Sequence, residues 1–339
     1  MASHLYVQTN DATGNELIAF RIAADGALEP LARFSTGGQG SGEPHLASQG
    51  SIAVSGDRRW LLVTNAGSAD LSLFTVTPDG PRIADRVDVD GQAPTSVSVH
   101  GDLVYVLHNG SSSIEGFRLA DDMLAPVPES TRHLSGGPTD PAQIAFTPNG
   151  DRLVVTERAT NSISTFVVGP DGRASGPTTV RSSGDTPYGF GFTPTGSVIV
   201  SEAFGAAAGA AAASSYSLSS DAPAVTSPSV HSGRTEVCWV AVTGDGRFAY
   251  VTNFGDSTVS SYAIGDGGTL TLENAVAASA RTGEKGLRDE TLTVDGRFLY
   301  AIDPDATSIV GWAVGDDGGL SPVGSFGGVP ATVAGLAAS

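Results

Sequence analysis

Cysteine is almost absent from this sequence, and basic residues are scarce relative to acidic ones. Cys238 is the single cysteine among 339 residues, so no disulfide can form within the chain, and a reducing compartment is permitted. Lysine and arginine total 18 against 36 aspartates and glutamates, which gives a formal net charge of −18. Because a surface this acidic repels phosphate backbones, we expect no nucleic-acid partner.

Long apolar runs and metal-binding spacings are also missing. No stretch approaches about 20 apolar residues, so the sequence predicts no transmembrane helix and no membrane partner. The start, MASHLYVQTN, lacks the basic and apolar segments of a secretory signal, and we expect a cytoplasmic protein, with an export signal removed beforehand as the alternative. There is no HxH, HExxH or CxxC pattern, so we expect no cofactor and no metal. A calcium site made only of oxygen ligands from several repeats stays open.

What the sequence does contain is a repeat. In the stretch 144–166, IAFTPNGDRLVVTERATNSISTF, apolar residues alternate at period two between turn residues, which indicates antiparallel strands. Aligned on the end of the second strand, the copies fall at Asn10, Asn65, Asn109, Glu157, Glu202, Asn253 and Asp303. Seven such units of about 45 residues, with four strands each, predict an all-β, seven-bladed β-propeller with four-stranded antiparallel blades.

The two ends of the chain complement each other. The first unit lacks the apolar strand that opens every other unit, and residues 333–339, VAGLAAS, supply one. Pro330 precedes this strand, as a proline precedes three of the other opening strands. The sequence therefore predicts that the C-terminal strand closes the first blade, which removes open sheet edges. We expect a single domain, residues 1–339, and a monomer.

Strand direction decides which loops share a face of the propeller. Because neighbouring strands run in opposite directions, the loops between second and third strands emerge beside the segments that enter the first strands. The predicted residues of this face are Asn10, His45, Gln49, Asn65, Thr95, His108, Asn109, Gln143, Glu157, Arg158, Tyr188, Phe190, Glu202, Phe204, Cys238, Trp239, Asn253, Arg288 and Asp303. Polar groups and aromatic walls around a channel mouth are typical of a propeller binding site.

Each candidate also has a structural interpretation. Asparagine or aspartate at the end of a second strand can cap the turn that follows. Glutamate caps turns less well, so Glu157 and Glu202, on neighbouring blades, are the stronger candidates for a chemical role. Arg158 either neutralises one of them or binds an anion. Tyr188 and Trp239 either pack in the core or stack on a ligand.

One segment is low in complexity. GAAAGAAAASS, residues 205–215, lies between the second and third strands of the fifth unit. Its glycines argue against a helix, so we expect a long surface loop, either a tolerated insertion or a flap over the face.

The strand ends resemble those of seven-bladed propeller lactonases, the family of propeller-type 6-phosphogluconolactonases and carboxymuconate-lactonizing enzymes. VTGDGRFAYVTNFGDSTVSSYAI, from residue 242, is similar to the family repeat. The stretches SQGSIAVS, VTNAGSADLSLF, VTERATNSISTF, YGFGFTPTGSVIVSEAFG and CWVAVTGDGRFAYVTN resemble a bacterial lactonase-like subgroup. The resemblance spans nearly the whole chain and implies the propeller fold and lactone chemistry. It carries over one site residue, a mid-chain glutamate that matches Glu202.

The chain departs from the family pattern at three places. The family's Asn-Arg pair reads Asn253-Phe254 here, residues 140–143 contain no histidine, and Trp239 stands where an acidic residue is usual. Few cations are expected on the face, so a phosphorylated sugar is not the expected substrate.

The predicted function is a lactonase-like hydrolase, or a lactonizing cyclase, for a small, non-phosphorylated lactone or cyclic ester in the central funnel. Ester opening needs a base to activate water and donors to hold the oxyanion. The predicted base is Glu157 or Glu202, and Arg158 is the catalytic cation that, with His108 or Asn109, polarises the carbonyl. The residues predicted to bind the substrate are Gln49, Asn65, His108, Asn109, Gln143, Tyr188, Phe190, Phe204, Trp239 and Asn253.

Two other classes of function stay open. A propeller can be a non-catalytic scaffold that binds a small molecule or a protein, which predicts binding without turnover. A recruited isomerase or cyclase of secondary metabolism would use the same carboxylate and aromatic groups in acid-base steps.

Overall fold

In the computed structural model, which describes residues 3–44, 46–77, 80–281 and 284–339, the chain forms seven antiparallel sheets. These are the blades of an all-β propeller, as predicted. Blades 2 to 7 pair their main strands in chain order, whereas the sheet of blade 1 begins with the last strand of the chain. The first strands of neighbouring sheets contact one another around the ring and are the innermost strands.

The strands of the first four blades are as follows. Blade 1 contains β1 (His4–Gln8), β2 (Glu16–Ile22) and β3 (Leu28–Ser35), and blade 2 contains β4 (Ile52–Val54), β5 (Trp60–Asn65), β6 (Asp70–Thr77) and β7 (Gly80–Asp88). Blade 3 contains β8 (Pro94–His100), β9 (Leu103–His108), β10 (Ser113–Ala120), β11 (Met123–Pro126) and β12 (Arg132–His133), and blade 4 contains β13 (Pro141–Phe146), β14 (Arg152–Glu157), β15 (Ser162–Val168) and β16 (Ala174–Arg181).

The remaining elements follow the same order. Blade 5 contains β17 (Pro187–Phe192), β18 (Val198–Glu202), β19 (Ala212–Ser217) and β20 (Ala224–His231), and blade 6 contains β21 (Val237–Val242), β22 (Phe248–Asn253), β23 (Thr258–Ile264) and β24 (Leu270–Ser279). Blade 7 contains β25 (Glu290–Leu292), β26 (Phe298–Asp303), β27 (Ser308–Val314) and β28 (Leu320–Gly327), and β29 (Ala334–Ala338) returns to blade 1. Short 3-10 helices span Phe204–Ala206, Phe254–Asp256 and Asp266–Gly268.

Burial differs between the strands of a blade. Every residue of the second strands β5, β9 and β26 is buried, whereas the fourth strand β3 is exposed at most positions. A second strand is covered on both faces by the neighbouring blades, which explains its nearly continuous apolar sequence. The outer strands face water on one side and can carry charge.

The hydrophobic core is divided among the contacts between blades. In the described part of the chain, seven clusters of buried apolar side chains are found, one for each pair of neighbouring blades. At the junction of blades 7 and 1, Leu5 and Phe20 pack against Phe298 and Ile309. This junction is therefore as well packed as the internal ones.

The C-terminal strand closes the ring, as the sequence predicts. β29 pairs with β1, with Ala338 opposite Leu5 and Ala334 opposite Gln8. The backbone amide of Ser339 also donates to the carbonyl of His4 at 2.9 Å. Blade 1 thus has four strands, and β1 is paired on both sides.

A tyrosine in the second strand joins successive blades at their lower face, the face of the short glycine turns. Tyr300 of blade 7 donates to the carbonyl of Gly26 in blade 1 at 2.6 Å, and Tyr250 of blade 6 donates to Gly318 of blade 7 at 2.9 Å. Gly26 has φ of +87°, and a Cβ there would lie 2.4 Å from the ring of Phe298, so only glycine fits.

Two details differ from the sequence-based alignment. The second strands of blades 1 and 3 end at Gln8 and His108, not at Asn10 and Asn109. The alanine-rich segment is a loop only as far as residue 211, because residues 212–217 form β19, which pairs with both neighbours. Small side chains fit this strand because it is buried between blades.

The helices of the described chain are single 3-10 turns, and none is long and apolar enough to cross a membrane.

Tyr300→Phe should lower the free energy of unfolding by about 1 kcal/mol, because the buried carbonyl of Gly26 loses its donor while the ring keeps its packing. Guanidinium chloride unfolding measures the change. Tyr250→Phe removes the equivalent bond from an internal junction and is the matched comparison. Wild-type stability in Tyr300→Phe would show that ring closure does not depend on this bond.

Candidate functional site

The upper face of the propeller is formed by two kinds of loop, as strand direction predicts. In blades 3 to 6, the loop between the second and the third strand donates a backbone hydrogen bond to the segment that enters the first strand of the blade. The bonds run from Asn109 to Ala93 at 2.9 Å, from Arg158 to Asp140 at 3.2 Å, from Ala203 to Thr186 at 3.0 Å and from Phe254 to Glu236 at 2.9 Å. These bonds hold the rim of the channel in a fixed shape.

The acceptors of these bonds share a rare backbone conformation. Ala93, Asp140, Thr186 and Glu236 have φ of 50°, 47°, 57° and 52°, each just before the first strand of its blade. Left-handed conformations cost energy in residues other than glycine, and they persist where the surrounding structure fixes them. Two of the four are acids, so the repeat places carboxylates on the rim.

A pocket of about 380 Å³ opens on the upper face between blades 5 and 6. It is lined by Thr186, Tyr188, Ala203, Gly205, Ala206, Glu236, Val237, Cys238, Phe254 and Arg288. Most of these side chains are apolar, and only Glu236 and Arg288 carry charge. An apolar cleft with a few polar groups is the usual form of a small-molecule site.

Tyr188 forms one wall of the pocket and is held by residues of three blades. Its hydroxyl accepts a hydrogen bond from Arg158 Nη1 at 2.9 Å, and its ring packs edge-on against Trp239 with centroids 4.8 Å apart. Arg158 Nη2 in turn binds the carboxylate of Asp140 at 2.5 Å, and Asn109 binds the same carboxylate at 3.2 Å. Burial raises the pKa of Tyr188 above its usual range, so the phenol stays protonated.

Arg288 enters the pocket from blade 7. Its guanidinium lies 4.8 Å from the ring centre of Phe254, and it donates to the carbonyl of Pro44. Its Nη2 is 3.9 Å from Asp305, while its buried Nε has no hydrogen-bond partner among the described residues. Burial lowers the pKa of Arg288 from its usual value, but an arginine remains a cation at neutral pH. Arg288 therefore brings a positive charge to the pocket, and its Nε is a donor without a partner among the described residues.

Cys238 also lines the pocket. Its thiol donates weakly to the carbonyl of Glu236 at 3.6 Å, and the residue is buried. Burial raises the pKa of the Cys238 thiol to about 12. The thiol is therefore protonated at neutral pH and is a poor nucleophile, as expected for a buried small side chain.

The upper face carries several cations in blades 4 to 7, and one of them, Arg288, lines the pocket. Arg158, Arg234, Arg281, Lys285 and Arg288 all lie on loops or strand starts of the upper face in blades 4 to 7. Each lies within 4.0 Å of a carboxylate oxygen. The expectation of few cations was wrong in number, although the charges are largely compensated.

The residues that end the second strands form a buried ring. Gln8, Asn65, His108, Glu157, Glu202, Asn253 and Asp303 are each 0% exposed. They bind the loops and third strands around them: Asn65 donates to Asp70 and Ser72, Asn253 donates to Ser260, and Asp303 accepts two bonds from Arg281. His108 lies 3.3 Å from Glu115. We call these seven residues the strand-end ring. The bonds of Asn65 and Asn253 bind the third strand of their own blade, and those of Asp303 bind Arg281 in the segment that precedes blade 7.

The prediction that Glu157 or Glu202 is the catalytic base does not fit this placement. Glu157 accepts bonds from Ser135, Thr160 at 2.9 Å and Ser164 at 2.5 Å, and it is closed off from solvent. A carboxylate surrounded by donors and inaccessible to water cannot readily take a proton from a substrate water. Glu157 therefore has a structural role, because it connects Ser135 to the loop and third strand of blade 4.

Glu202 is enclosed in the same way in blade 5. Its carboxylate accepts from the backbone amide of Gly184 at 2.7 Å and from the hydroxyls of Ser182, Ser214 and Ser229 at 3.2, 2.6 and 2.5 Å. Neither carboxylate lines the pocket, although Ala203, the next residue, does. Glutamate is favoured here because its longer side chain reaches donors on three separate segments.

The predicted glutamines bind backbone groups of other blades. Gln143 exchanges two hydrogen bonds with Phe190 at 2.7 and 3.0 Å, and Phe190 itself is buried at the junction of blades 4 and 5. The side-chain amide of Gln49 reaches across the channel and exchanges hydrogen bonds with the backbone of Val240, at 3.1 and 3.3 Å. The backbone amide of Gln49 donates to the carbonyl of Ala142. Gln49 thus crosses the channel from blade 2 to blade 6.

Some of the other predicted binding residues lie near the pocket, and others lie in the strand-end ring. Of the predicted residues, Tyr188 lines the pocket, Trp239 packs against its ring and Arg158 binds its hydroxyl. Asn109 binds Asp140, the carboxylate that also binds Arg158. Phe204 turns away and packs against His231 with ring centres 5.3 Å apart. Asn65, His108 and Asn253 belong to the strand-end ring, and His45 lies outside the described residues.

Five charged residues were not among those predicted to bind the substrate or to catalyse, although Arg288 was predicted to lie on this face. Asp140, Glu236 and Arg288 line or brace the pocket, and the first two share the left-handed position before a first strand. The run Arg288-Asp289-Glu290 puts three charges at the start of an innermost strand, where other blades carry mostly apolar residues. Those three charges could have identified this strand as a candidate from the sequence. Burial raises the pKa of Asp289 and of Glu290 well above the usual range.

In the described ranges, no group of three or more histidine, cysteine, aspartate or glutamate side chains is arranged to hold a metal ion.

Comparison with known proteins supports one family. The model of the family described as Lactonase, 7-bladed beta-propeller, matches residues 2–133, 123–203 and 207–334. A search of curated proteins finds no match.

Several solved structures share the fold along the whole chain. A proposed 6-phosphogluconolactonase of Bacteroides fragilis is 18% identical, with a TM-score of 0.79 over 100% of this chain and 98% of that one. A Lactobacillus plantarum protein is 18% identical, with a TM-score of 0.79 over 100% and 99%. The periplasmic gluconolactonase PpgL of Pseudomonas aeruginosa is 16% identical, with a TM-score of 0.76 over 100% and 99%. Identities this low show the fold alone.

Glu202→Ala should lower the free energy of unfolding by roughly 2–4 kcal/mol, because four donors lose their buried acceptor. Urea unfolding measures the loss, and Glu273→Ala on the exposed strand β24 is the matched control, expected within about 0.5 kcal/mol of wild type. Wild-type stability in Glu202→Ala would refute the structural role of the Glu202 carboxylate.

Cys238 should resist alkylation in the folded protein. With a pKa of about 12, roughly one thiol in ten thousand is ionised at pH 8. Iodoacetamide at pH 8, followed by mass spectrometry, should therefore label the native chain far more slowly than the chain unfolded in guanidinium chloride. Rapid stoichiometric labelling of the folded chain would contradict this environment.

Proposed function

Because this chain belongs to the 7-bladed beta-propeller lactonase family, we propose that it is a hydrolase that opens a small, non-phosphorylated lactone in the pocket between blades 5 and 6. Family membership supports lactonase-like chemistry in general. The place of the reaction and the kind of substrate are the proposal, and they rest on the residues that line the pocket.

The observation that carries the proposal is the buried Nε of Arg288. Arg288 lines the pocket, its Nε has no hydrogen-bond partner among the described residues, and the rest of its guanidinium lies near the carbonyl of Pro44 and the carboxylate of Asp305. A fixed cationic donor in an apolar cleft stabilises negative charge far better than one in water. The carbonyl oxygen of a bound lactone, which becomes an oxyanion during hydrolysis, is the group that such a donor would serve.

Glu236 is the proposed general base. Its side chain is 24% exposed, so it can reach both the pocket and solvent, and Lys285 binds it at 2.5 Å. Its left-handed backbone fixes it on the rim. Unlike Glu157 and Glu202, it is not enclosed by hydroxyl donors, and a base needs such access to a water molecule.

The chemical steps balance with these two groups. A water oxygen attacks the lactone carbonyl carbon while the carboxylate of Glu236 takes one of its protons. The carbonyl oxygen becomes an oxyanion beside the guanidinium of Arg288. When the intermediate collapses, the bond between the carbonyl carbon and the ring oxygen breaks, and the ring oxygen receives the proton from Glu236. The product is an open-chain hydroxy acid, and the enzyme is unchanged.

The walls and the charge balance favour a substrate without phosphate. Val237, Ala203 and Phe254 offer no hydrogen bond from their side chains, and the cations near the pocket are already paired with carboxylates. A phosphate group needs several donors or cations to replace its water. A volume of about 380 Å³ limits the substrate to a small ring with a short substituent.

A panel of lactones tests the proposal. Aliphatic γ- and δ-lactones, an aromatic lactone and 6-phosphogluconolactone are offered to the wild-type protein, and acid release is followed in a pH-stat. We expect turnover of at least one neutral lactone and none of the phosphorylated one. Arg288→Met and Glu236→Gln should each lower kcat/KM by about 100-fold or more.

Arg21→Met, on the outer part of blade 1, is the matched control for arginine removal and should keep wild-type activity. Circular dichroism and thermal unfolding confirm that each variant is folded. Binding of a lactone without acid release would favour the scaffold hypothesis, and full activity in both pocket variants would place the reaction elsewhere.

A further inference from the structure

We propose that Ala203 and Cys238 determine the substrate specificity of the pocket between blades 5 and 6, because together they leave room for an apolar ring substituent on the lactone. This specificity rests on the proposed function for its chemistry, whereas the space itself can be tested by binding alone. Both residues line the pocket, and both are small where the junctions on either side carry large side chains.

The first of the two positions directly follows the second strand of a blade. In blades 3 to 6, the residue there donates its backbone amide to the segment that enters the blade, so the four positions are structurally equivalent. Their residues are Asn109, Arg158, Ala203 and Phe254. Among these four blades, blade 5 alone has an alanine in this position, and the other three have longer or bulkier side chains.

The second position lies near the start of the first strand. In blades 4 to 7, the first-strand residues that pair with the residue two positions before the end of the second strand are Ile144, Phe190, Val240 and Glu290. This shared register makes the residues two positions earlier equivalent as well. They are Ala142, Tyr188, Cys238 and Arg288.

The side chain in the first position reaches the second position of the next blade. The guanidinium of Arg158 in blade 4 lies 4.7 Å from the ring centre of Tyr188 in blade 5. The guanidinium of Arg288 in blade 7 lies 4.8 Å from the ring centre of Phe254 in blade 6. A cation on an aromatic ring therefore occupies this place at the junction of blades 4 and 5 and again at the junction of blades 6 and 7.

The junction of blades 5 and 6 has two small residues in the same positions. Ala203 and Cys238 belong to one apolar cluster, and both line the pocket of about 380 Å³. A methyl group and a thiol cannot occupy the volume that an arginine and an aromatic ring occupy at the flanking junctions. That volume is therefore part of the pocket here, which explains why a pocket opens at this junction.

The loop of blade 5 also keeps its bulky side chain out of this space. Phe204 follows Ala203, and its backbone amide donates to the carbonyl of Asp185 at 3.0 Å. Its φ is 48°, a left-handed conformation that costs energy in a phenylalanine and persists where the surrounding structure fixes it. The ring packs against His231 outside the pocket, with ring centres 5.3 Å apart. The small residues Gly205 and Ala206 line the pocket instead.

The space suits an apolar group of about the size of a phenyl ring. Tyr188, Val237 and Phe254 line it besides the small pair, and aromatic walls favour a flat apolar group. Arg288 comes from blade 7 and is the proposed partner of the lactone carbonyl, so the substituent extends from the lactone ring toward blade 5. The substrate class is therefore a lactone whose ring carries an aromatic or similarly sized apolar substituent.

Two pairs of probes separate binding from hydrolysis. γ-Phenyl-γ-butyrolactone and unsubstituted γ-butyrolactone are compared as substrates by kcat/KM, and the corresponding γ-lactams, which resist hydrolysis, are compared by isothermal titration calorimetry. We expect the wild type to prefer the phenyl-substituted member of each pair. Ala203→Phe introduces the side chain that blade 6 has in this position and should lower both preferences at least about 50-fold. Ala203→Leu and Ala203→Val should lower them by progressively less, because they fill less of the space.

Ala208→Phe, on the exposed part of the same loop, is the matched control and should keep the wild-type preferences. If Ala203→Phe does not fold, the two smaller substitutions still give a graded test. Unchanged preferences in the folded Ala203 variants, or no binding of the phenyl-substituted lactam to the wild type, would overturn the proposal. Binding of that lactam to the wild type and its loss in Ala203→Phe, without hydrolysis of either lactone, would support the space assigned to the substituent and contradict only the proposed hydrolysis.

Discussion

Packing of each blade against both of its neighbours is the constraint on which the rest of this structure depends. A twisted four-stranded sheet cannot bury its two faces alone, and here each junction between blades has its own apolar cluster. The ring is complete only if blade 7 packs on blade 1 as tightly as the others pack. The strand Ala334–Ala338 achieves this by joining the two ends of the chain in one sheet. The loops of the upper face are held at both ends, because each one joins two strands of a sheet or runs between neighbouring sheets.

The same constraint separates structural acids from accessible ones. A residue at the end of a second strand lies between blades, so its polar atoms must be satisfied by the chain, and Glu202 is surrounded by serine hydroxyls for this reason. A residue just before a first strand lies at the channel rim, where its side chain reaches solvent, as with Glu236. Arg288 starts a strand at the same rim and contributes the buried cation. Position in the repeat, more than residue type, therefore decides which charges are available for chemistry.

The fold was predictable from the sequence, and the site was predictable only in part. Period-two alternation and regular turns depend on local rules, so blade number and closure could be derived. The shared upper face also followed from strand direction, and Arg158, Tyr188 and Trp239 do meet at a pocket wall. The direction of a strand-end side chain depends on its neighbours in space, and Glu157 was therefore misinterpreted as accessible. The charges of Arg288, Asp289 and Glu290 were visible, but only the three-dimensional packing showed that they are buried.

The central claim is that the pocket between blades 5 and 6, and not the strand-end ring, holds the substrate. A crystal structure of the protein soaked with the hydroxy acid formed from a neutral lactone tests it most directly. The account predicts density for the product beside Tyr188, Cys238 and Phe254, with its new carboxylate at the guanidinium of Arg288. Product bound at Glu157 or Glu202, with the loops around those residues opened, would contradict it.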